Sequence, residues 1–310
     1  MILLLIIAGL LGLIAILLFI ALIHTEMIKK ECGTEIPFDM EKEGINPRLH
    51  AEHLSKMIQI ASVSRRGNSD LTKIYEMHKR LEELYPLIHK SLEVKDIDGA
   101  LLYRWKGKDK EKAPVLLMSH HDVVEATGNW KYPPFSGTIA DGKVWGRGAV
   151  DTKGSLCAIL ESVEYLLSEG FIPERDFYIA SSCNEEITGD GAVKTVEYMY
   201  NAGIRPELVM DEGGSVMGNM MGCEASCAMI GVLEKGRANV KFIAHSHGGH
   251  ASIPFRHNPF ARLAKLINNV ESRSPFRAKL TKPVIEMYKE MAPYMPFKYR
   301  FLLGNVWLLK

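Results

Sequence analysis

Residues 115–122 read VLLMSHHD. The first four form an apolar run typical of a short buried strand, and side chains capable of chemistry follow directly. In an extended segment alternate side chains share a face, so His120 and Asp122 point together while His121 points away. A histidine beside a carboxylate is a common metal-ligand pair, because the carboxylate fixes the orientation of the ring. By itself the motif leaves a purely structural role equally open.

Short apolar runs of this kind alternate with helical patterns along the chain. Strands are predicted at residues 115–118, 177–180 and 208–210, and helices at residues 49–60, 71–84, 155–167 and 191–200. This alternation predicts an α/β fold with helices on the faces of a sheet. Sites in such folds lie at the carboxyl ends of the strands, where the four candidate clusters occur.

The second cluster is a glycine-flanked aspartate in residues 146–154, GRGAVDTKG. Glycines on both sides let the backbone bend tightly, which holds Asp151 at the entrance of the helix predicted from Ser155. Taken alone, Asp151 fits an ordinary helix cap equally well.

The third cluster, Cys183-Asn184-Glu185-Glu186, directly follows the strand predicted at residues 177–180. On an extended backbone adjacent side chains point to opposite sides, so one carboxylate can bind a metal while the other faces a water. A solvated acidic turn is the commoner role of such a pair. It explains poorly why the pair ends a buried strand.

The fourth cluster is Asp211-Glu212-Gly213-Gly214, after the strand predicted at residues 208–210. Imidazole and carboxylate ligands together suit zinc or a similar divalent ion, which lowers the pKa of a bound water towards neutrality. Neither a GxxxxGK[ST] phosphate loop nor a GxSxG nucleophile elbow occurs, and the glycine-rich segments do not match a nucleotide-binding loop.

Bulk composition excludes some classes of protein. The 310 residues are 47% hydrophobic, enough for a sizeable core in one or two domains. Lys and Arg number 38 against 37 Asp and Glu without a long basic block, so nucleic acid is not an expected partner. Five cysteines without CxxC spacing argue against a disulfide framework and a structural zinc knuckle.

Residues 2–23 form an unbroken apolar run, which as a helix spans about 33 Å and matches the hydrocarbon core of a bilayer. The run lacks a preceding basic segment and a small-x-small cleavage site. We therefore expect a transmembrane anchor over residues 1–24 rather than a cleaved signal peptide. Lys29 and Lys30 weakly place the rest of the chain in the cytoplasm, but neighbouring glutamates offset them and the side stays open.

The distribution of polar, apolar and turn-forming residues predicts four segments, of which the anchor over residues 1–24 is the first. Residues 25–46 are a polar linker, and the catalytic domain covers residues 47–227. Beyond Cys227 a strand pair at residues 228–233 and 238–244 precedes a helix at residues 259–270. This pattern predicts a smaller α+β domain over residues 228–310.

The four clusters, taken in order, resemble those of the M20 metallopeptidases, in particular the carboxypeptidase S-like and N-acyl-amino-acid amidohydrolase branch. The resemblance covers about residues 48–310 and rests on motifs that are specific in order and spacing. It implies a zinc-peptidase-like catalytic domain with a mixed central sheet flanked by helices, followed by the start of a lid or dimerisation domain. The implied activity is hydrolysis of an amide next to a free amino-acid carboxylate, in a peptide or an N-acyl amino acid.

The resemblance also implies roles for individual residues. Two zinc ions would share Asp151, with His120 and Asp211 completing one site and Glu186 belonging to the other. Glu185 would act as general base on the water that attacks the amide, and Asp122 would orient His120. A cis peptide bond is implied after the bridging aspartate, between Asp151 and Thr152.

The segment Gly248-Gly249-His250-Ala251-Ser252-Ile253-Pro254 resembles the motif of the lid domain. In that family its histidine reaches an active site, often that of a dimer partner, and stabilises the oxyanion. His250 is therefore expected to have this role, and a homodimer through the lid is expected as well. Without the resemblance, a buried histidine at a helix end is the simpler interpretation.

One feature of the family is absent from the sequence as given. The second zinc takes a histidine from beyond the lid, and the sequence stops at Lys310 within the expected lid. The resemblance thus leads us to expect a truncated chain that binds one zinc well and the second weakly. The alternative function is an inactive, membrane-anchored module that binds a metal or a peptide.

Overall fold

The computed structural model describes residues 1–31, 33, 45–223, 225–250, 252–253 and 255–309. Its α-helices are α1 (Ile2–Met27), α2 (Pro47–Ile58), α3 (Thr72–Leu84), α4 (Pro86–Ser91), α5 (Lys153–Ser168), α6 (Gly191–Asn201), α7 (Pro259–Ser272), α8 (Lys282–Met291) and α9 (Phe297–Gly304). Its β-strands are β1 (Glu93–Ile97), β2 (Ala100–Trp105), β3 (Val115–Met118), β4 (Thr138–Ala140), β5 (Lys143–Trp145), β6 (Phe177–Ser181), β7 (Leu208–Met210), β8 (Ser215–Met217) and β9 (Cys227–Met229).

The chain divides into two units, Ile36–Glu212 on the one hand and Met1–Glu35 with Gly213–Lys310 on the other. The predicted division between residues 227 and 228 stays a prediction. Most of the predicted linker, residues 25–46, lies outside the described residues, and α1 extends into its first positions.

The unit Ile36–Glu212 is built on a five-stranded mixed sheet with strand order β1-β2-β6-β3-β7. Strand β3 is parallel to both β6 and β7, whereas β2 is antiparallel to β1 and β6. Residues 178–181 of the central strand β6 are all buried, because the sheet is covered on both faces there. The predicted α/β fold with a mixed sheet and flanking helices is confirmed.

The main core of this unit lies between the sheet and helices α2 to α5. Leu156 and Leu160 of α5 are fully buried against Met57 of α2 and Ile179 of β6. Each fully buried side chain of this size stabilises the fold by roughly 1.5–3 kcal/mol. This packing anchors α5, and the loop that carries Asp151 leads directly into that helix.

The sequence pattern correctly predicted most of the strands and helices around the four clusters. Strands β3 and β7 have the predicted bounds, and β6 is one residue longer than predicted. Helices α2, α3, α5 and α6 lie within two residues of the predicted bounds at each end. Strands β1 and β2, by contrast, were not predicted, and they complete the antiparallel side of the sheet.

The unit that contains Gly213–Lys310 departs from the prediction in one respect. The strands predicted at residues 228–233 and 238–244 were wrong, since only the short strand β9 forms there and residues 230–250 have no regular secondary structure. An alternating apolar pattern yields a strand only where a neighbouring strand accepts and donates its hydrogen bonds. Among the described residues, β8 supplies three paired residues and nothing extends that ladder. The predicted helix is confirmed as α7.

Helix α1 contains the predicted apolar run and is long and apolar enough to cross a membrane. A signal sequence has the same properties. Nearly all side chains of residues 1–20 are exposed, and burial begins at Ala21 and Thr25 near its end.

Candidate metal centre

The candidate clusters converge because three parallel strands end at one edge of the sheet. His120 follows β3, Glu185 follows β6 and Glu212 follows β7. Strands β6 and β7 lie on either side of β3, so the segments after them are neighbours in space. Asp151 reaches the same place from the loop before α5.

His120 is at the centre of this cluster, with only 1% of its side chain exposed. Its Nε2 atom lies 3.2 Å from Asp151 Oδ1, 3.3 Å from Glu212 Oε1 and 3.7 Å from Glu185 Oε2. The backbone N–H of His120 also donates a hydrogen bond to Glu212. Burial lowers the pKa of His120, but hydrogen bonds and negative charge from Asp122 and Glu212 outweigh burial and raise this pKa to about 11.

Two overlapping groups of side chains have the geometry of metal ligands. In one group His120, Asp151 and Glu186 place their ligand atoms within 4.8 Å of one another, and in the other His120, Glu185 and Glu212 do so. Carboxylates this close repel one another unless a cation or a proton lies between them. One imidazole among four carboxylates is a donor set that suits zinc or a similar divalent ion.

Asp122 holds this arrangement in place from a fully buried position. Its carboxylate lies 3.4 Å from His120 Nδ1, which also approaches the Asp122 carbonyl oxygen at 2.9 Å. The same carboxylate accepts hydrogen bonds from the backbone N–H groups of Glu185 and Glu186, at 3.1 and 3.2 Å. Burial acts to raise the pKa of Asp122, but hydrogen bonds from His120 and Ser64 lower it below its ordinary value.

The glutamate pair occupies a different backbone conformation from the one expected. Glu185 and Glu186 begin a 3-10 turn, Glu185–Ile187, so the extended backbone expected for the pair was wrong. The turn forms because Asp122 accepts the two N–H groups at its start, which have no partner within the turn. Burial and neighbouring carboxylates raise the pKa of both glutamates. A raised pKa suits a carboxylate that must accept a proton near neutral pH.

The loop before α5 depends on its glycines, as predicted. Gly148 has a φ of 89°, and a Cβ atom there would lie 2.9 Å from Val123 Cγ1. Asp151 is largely exposed towards the cluster, and the peptide bond between Asp151 and Thr152 is cis, as the family resemblance implies.

Lys153, the first residue of α5, connects this helix to the end of α2 by hydrogen bonds. Its side chain is fully buried, and its Nζ donates hydrogen bonds to the carbonyl oxygens of Met57 and Ile60, at 3.1 and 2.6 Å. Burial lowers the pKa of Lys153 to about 7. The lysine thereby joins the end of α2 to the helix that follows Asp151.

The side chain of His121 points away from the face that His120 and Asp122 share, as the alternation of side chains predicts. Its Nδ1 atom lies 2.8 Å from Ser181 Oγ, and its ring packs edge-on against that of His78. Burial lowers the pKa of His121 to about 3, so its ring is neutral.

The carboxylate that lies beside His120 after β7 is that of Glu212, to which the resemblance assigns no role, whereas the resemblance implies Asp211 as the ligand. Glu212 belongs to one of the ligand groups, whereas Asp211 is in neither of them and its carboxylate accepts the backbone N–H of Glu212. The role of Asp211 as a ligand stays a prediction. Asp211 follows β7 directly and Glu212 comes one residue later, so the two carboxylates differ in the direction in which their side chains point.

His250 lies in the unit Gly213–Lys310, in an exposed loop. Its Nδ1 atom is 2.7 Å from Ser252 Oγ. Ala251 and Pro254 of the same motif are outside the described residues. The expected contribution of His250 to the oxyanion stays a prediction.

A cavity of about 220 Å³ opens beside the cluster. Its charged or titratable lining residues are His120, Glu185, Asp211 and Glu212. Its remaining wall is mostly apolar and includes Met118 of β3 and Met199 of α6. A cluster of candidate metal ligands at a mostly apolar cavity is the kind of arrangement that binds a ligand with a polar group and an apolar substituent.

Comparison with known proteins agrees with this geometry. The model of peptidase family M20/M25/M40 matches residues 116–296. Over 84% of its length the chain is 36% identical to a probable carboxypeptidase S-like 2 of Dictyostelium discoideum, and covers 52% of that protein. Over 85% of its length it is 33% identical to N-fatty-acyl-amino acid synthase/hydrolase PM20D1.1 of Danio rerio, and covers 54% of that protein. The chain thus spans about half the length of the curated relatives it matches.

Among solved structures, human carnosine dipeptidase 1 is similar with a TM-score of 0.49 and 16% identity. The similarity covers 93% of this chain and 61% of the dipeptidase.

Proposed function

The chain belongs to peptidase family M20/M25/M40, and from this premise we propose that it is a zinc-dependent hydrolase of an amide bond next to a free amino-acid carboxylate. The observation that carries the proposal is the convergence of His120, Asp151, Glu185, Glu186 and Glu212 on one small space. Carboxylates this close repel one another, and a bound divalent cation would relieve that repulsion.

We assign the metal-binding role to side chains of the two ligand groups. His120 and Asp151 would hold one ion with a carboxylate after β7, for which Glu212 is well placed, and Asp151 and Glu186 would hold the other. When bound, a divalent cation supplies a water of lowered pKa and polarises the carbonyl group of the substrate. Two ions are expected from the family, with Asp151 shared between them.

Glu185 is proposed as the general base. Its side chain is half exposed at the end of the cavity, and its pKa is raised by burial and by nearby carboxylates. Glu185 takes a proton from the attacking water and then passes it to the leaving amine nitrogen, so the carboxylate is regenerated in each cycle. Asp122 keeps the ring of His120 and the start of the glutamate turn in position.

The substrate class follows from the names of the relatives and from the cavity. The relatives are named as carboxypeptidases and as N-fatty-acyl-amino acid synthase/hydrolases. The apolar wall formed by Met118 and Met199 favours a substrate with an aliphatic acyl group or side chain beside the reacting amide. Peptides and N-acyl amino acids both meet this requirement.

We further propose that α1 anchors the enzyme in a membrane and that the lid domain, residues 228–310, forms a homodimer. The length and apolar character of α1 support the anchor, and cleavage as a signal sequence is the alternative. Dimerisation rests on the family resemblance around His250 alone.

The function is tested with Glu185→Gln. We expect this variant to retain its bound metal, measured by elemental analysis, while hydrolysis of N-acyl amino acids and dipeptides falls by at least about a hundredfold, the contribution of a general base. Glu83→Gln on the exposed face of α3 is the matched control. Turnover by Glu185→Gln equal to that of the control would remove Glu185 from the mechanism. If the unmodified chain binds metal but has no turnover, and a chain extended to the length of the curated relatives behaves in the same way, the alternative of an inactive binding module is favoured.

A further inference from the structure

A basic cavity lies at the end of α1, within the unit that contains Gly213–Lys310. Its volume is about 570 Å³, and Lys29, Lys30 and Arg300 are on its wall. Glu31 also lines it and is the opposing charge. Glu26 also lies 3.6 Å from the Arg300 guanidinium, so three cationic groups face two carboxylates and leave one net positive charge, which attracts an anion.

Arg300 is the buried member of this set, with 7% of its surface exposed. Its Nη1 donates a hydrogen bond to the carbonyl oxygen of Met295 at 3.0 Å, and its Nη2 lies 3.6 Å from Glu26 Oε1. Its Nε is buried and has no hydrogen-bond partner in the part of the chain that the structure describes. Leaving a buried guanidinium N–H without an acceptor is unfavourable, and other atoms of the same guanidinium residue line the cavity, where an anion would offset its charge.

The cavity is fixed to the end of α1 by a polar network. Asn305, after α9, is buried and donates hydrogen bonds from Nδ2 to the carbonyl oxygen of Ala21 and to Thr25 Oγ1, at 3.3 and 2.9 Å. Its Oδ1 lies 3.0 Å from His24 Nδ1. The backbone N–H of Lys30 donates to the carbonyl oxygen of Pro293 at 3.0 Å. Helix α9 is therefore docked on the last two turns of α1.

This docking determines the depth of the cavity relative to a bilayer. From Ile2, about 20 residues at 1.5 Å each span the roughly 30 Å of the hydrocarbon core, so Ala21 lies near its boundary. Side chains that contact Ala21 and Thr25 lie at the same depth. Phe297 and Trp307, both nearly half exposed on the docked segment, are of the types that occupy the membrane interface.

We propose that this cavity binds the phosphate group of an anionic phospholipid in the leaflet where α1 ends. The proposal rests on the proposed anchoring of α1 in a membrane. Phosphate oxygens accept hydrogen bonds from the Arg300 guanidinium and from the two lysine ammonium groups, and the single negative charge of the phosphodiester balances the one net positive charge of the cavity. The acyl chains of the lipid lie along α1, where the side chains before Ala21 are exposed and apolar.

The experiment is a calorimetric titration of the full chain in neutral detergent with dioctanoyl phosphatidylglycerol, and separately with inorganic phosphate. We expect the lipid to bind and Lys29→Gln or Lys30→Gln each to weaken binding about fivefold, the effect of one charge near a bilayer surface. Both lysines are exposed, so these variants should fold. Arg300→Lys keeps the charge but removes the unpartnered N–H, and it should also weaken binding.

Lys298→Gln is the matched control, because Lys298 is an exposed lysine of α9 that does not line the cavity. Its lipid affinity should equal that of the unmodified chain. The proposal is overturned by absence of lipid binding, by inorganic phosphate binding as tightly as the lipid, or by an equal loss in Lys298→Gln. Resistance of the membrane-bound chain to alkaline extraction tests the anchor separately. A chain that resists extraction but does not bind lipid contradicts the cavity alone.

Discussion

The hydroxyl group of Ser64 donates a hydrogen bond to the buried carboxylate of Asp122, with 2.6 Å between Oγ and Oδ2. The same carboxylate accepts hydrogen bonds from the N–H groups of Glu185 and Glu186, so Ser64 supports the candidate metal centre through Asp122. The backbone N–H of Ser64 donates to the carbonyl oxygen of Val123, which fastens this segment beside the His120 loop.

Ser64→Ala should lower the free energy of unfolding by about 1.5–3 kcal/mol, the contribution of a hydrogen bond to a charged group. Urea denaturation measures this change, and Ser64→Thr should restore most of it. Ser162→Ala is the control, because that exposed hydroxyl only bonds back to the Ala158 carbonyl oxygen of its own helix. If the two alanine variants lose equal stability, the hydrogen bond from Ser64 to the Asp122 carboxylate stabilises the fold no more than the exposed bond of Ser162 does.

Glu212→Gln should weaken the binding of zinc by at least about tenfold. Removing a residue that only hydrogen-bonds to a metal ligand already costs about this much affinity, so losing a ligand should cost no less. Asp211→Asn should bind zinc as the unmodified chain does, because Asp211 lies outside both ligand groups. Competition with a chromogenic chelator measures both affinities. The opposite ranking would establish Asp211 as the ligand, as the family resemblance implies.

Gly148→Ala should destabilise the loop that carries Asp151 for two reasons, a positive φ and a contact of 2.9 Å with Val123 Cγ1. We expect a loss of about 1–3 kcal/mol, together with weaker metal binding. Gly142→Ala is the matched control, since Gly142 also has a positive φ but nothing lies within 4 Å of its Cβ position. A thermal denaturation series separates the two costs. Equal losses in the two variants would mean that the close approach to Val123 is unimportant.

The stability of the protein should fall as the pH drops below about 6.5, partly through His78. Burial lowers the pKa of His78 despite the nearby charge of Asp96, and its Nε2 lies 3.1 Å from the carbonyl oxygen of Gly99. The unfolded chain therefore takes up the proton at a higher pH than the folded one, so acid favours unfolding. His78→Gln should show a shallower loss in urea denaturation between pH 7.5 and 5.5. Parallel curves for both proteins would exclude a contribution from His78.

The fold was predictable where a single segment carries its own signal. Strands β3 and β7 were predicted with the observed bounds because each is a short apolar run followed at once by polar residues, although β3 is partly buried and the side chains of β7 are exposed. The exposed strand β1 carries no such run, since most of its side chains face solvent. The absent strands between residues 228 and 244 show the opposite case, in which the pattern exists but no described partner completes the ladder.

The candidate site was predictable in its members and less so in its details. His120, Asp151, Glu185 and Glu186 were identified from their positions after strands or before a helix, and they do converge. The choice between Asp211 and Glu212 was beyond the sequence, because it depends on which of two adjacent carboxylates points at His120.

By itself, the amino-acid sequence determined the alternation of strands and helices, the apolar helix α1 and the kinds of side chain available at each strand end. Periodicity and residue chemistry are local properties, so they can be recognised without coordinates. Only the tertiary structure decided that Asp122 ties His120 to the glutamate turn, and that Asn305 fastens α9 to α1 across some 280 residues. Contacts of this kind depend on strand register and helix docking, which arise when the whole chain packs.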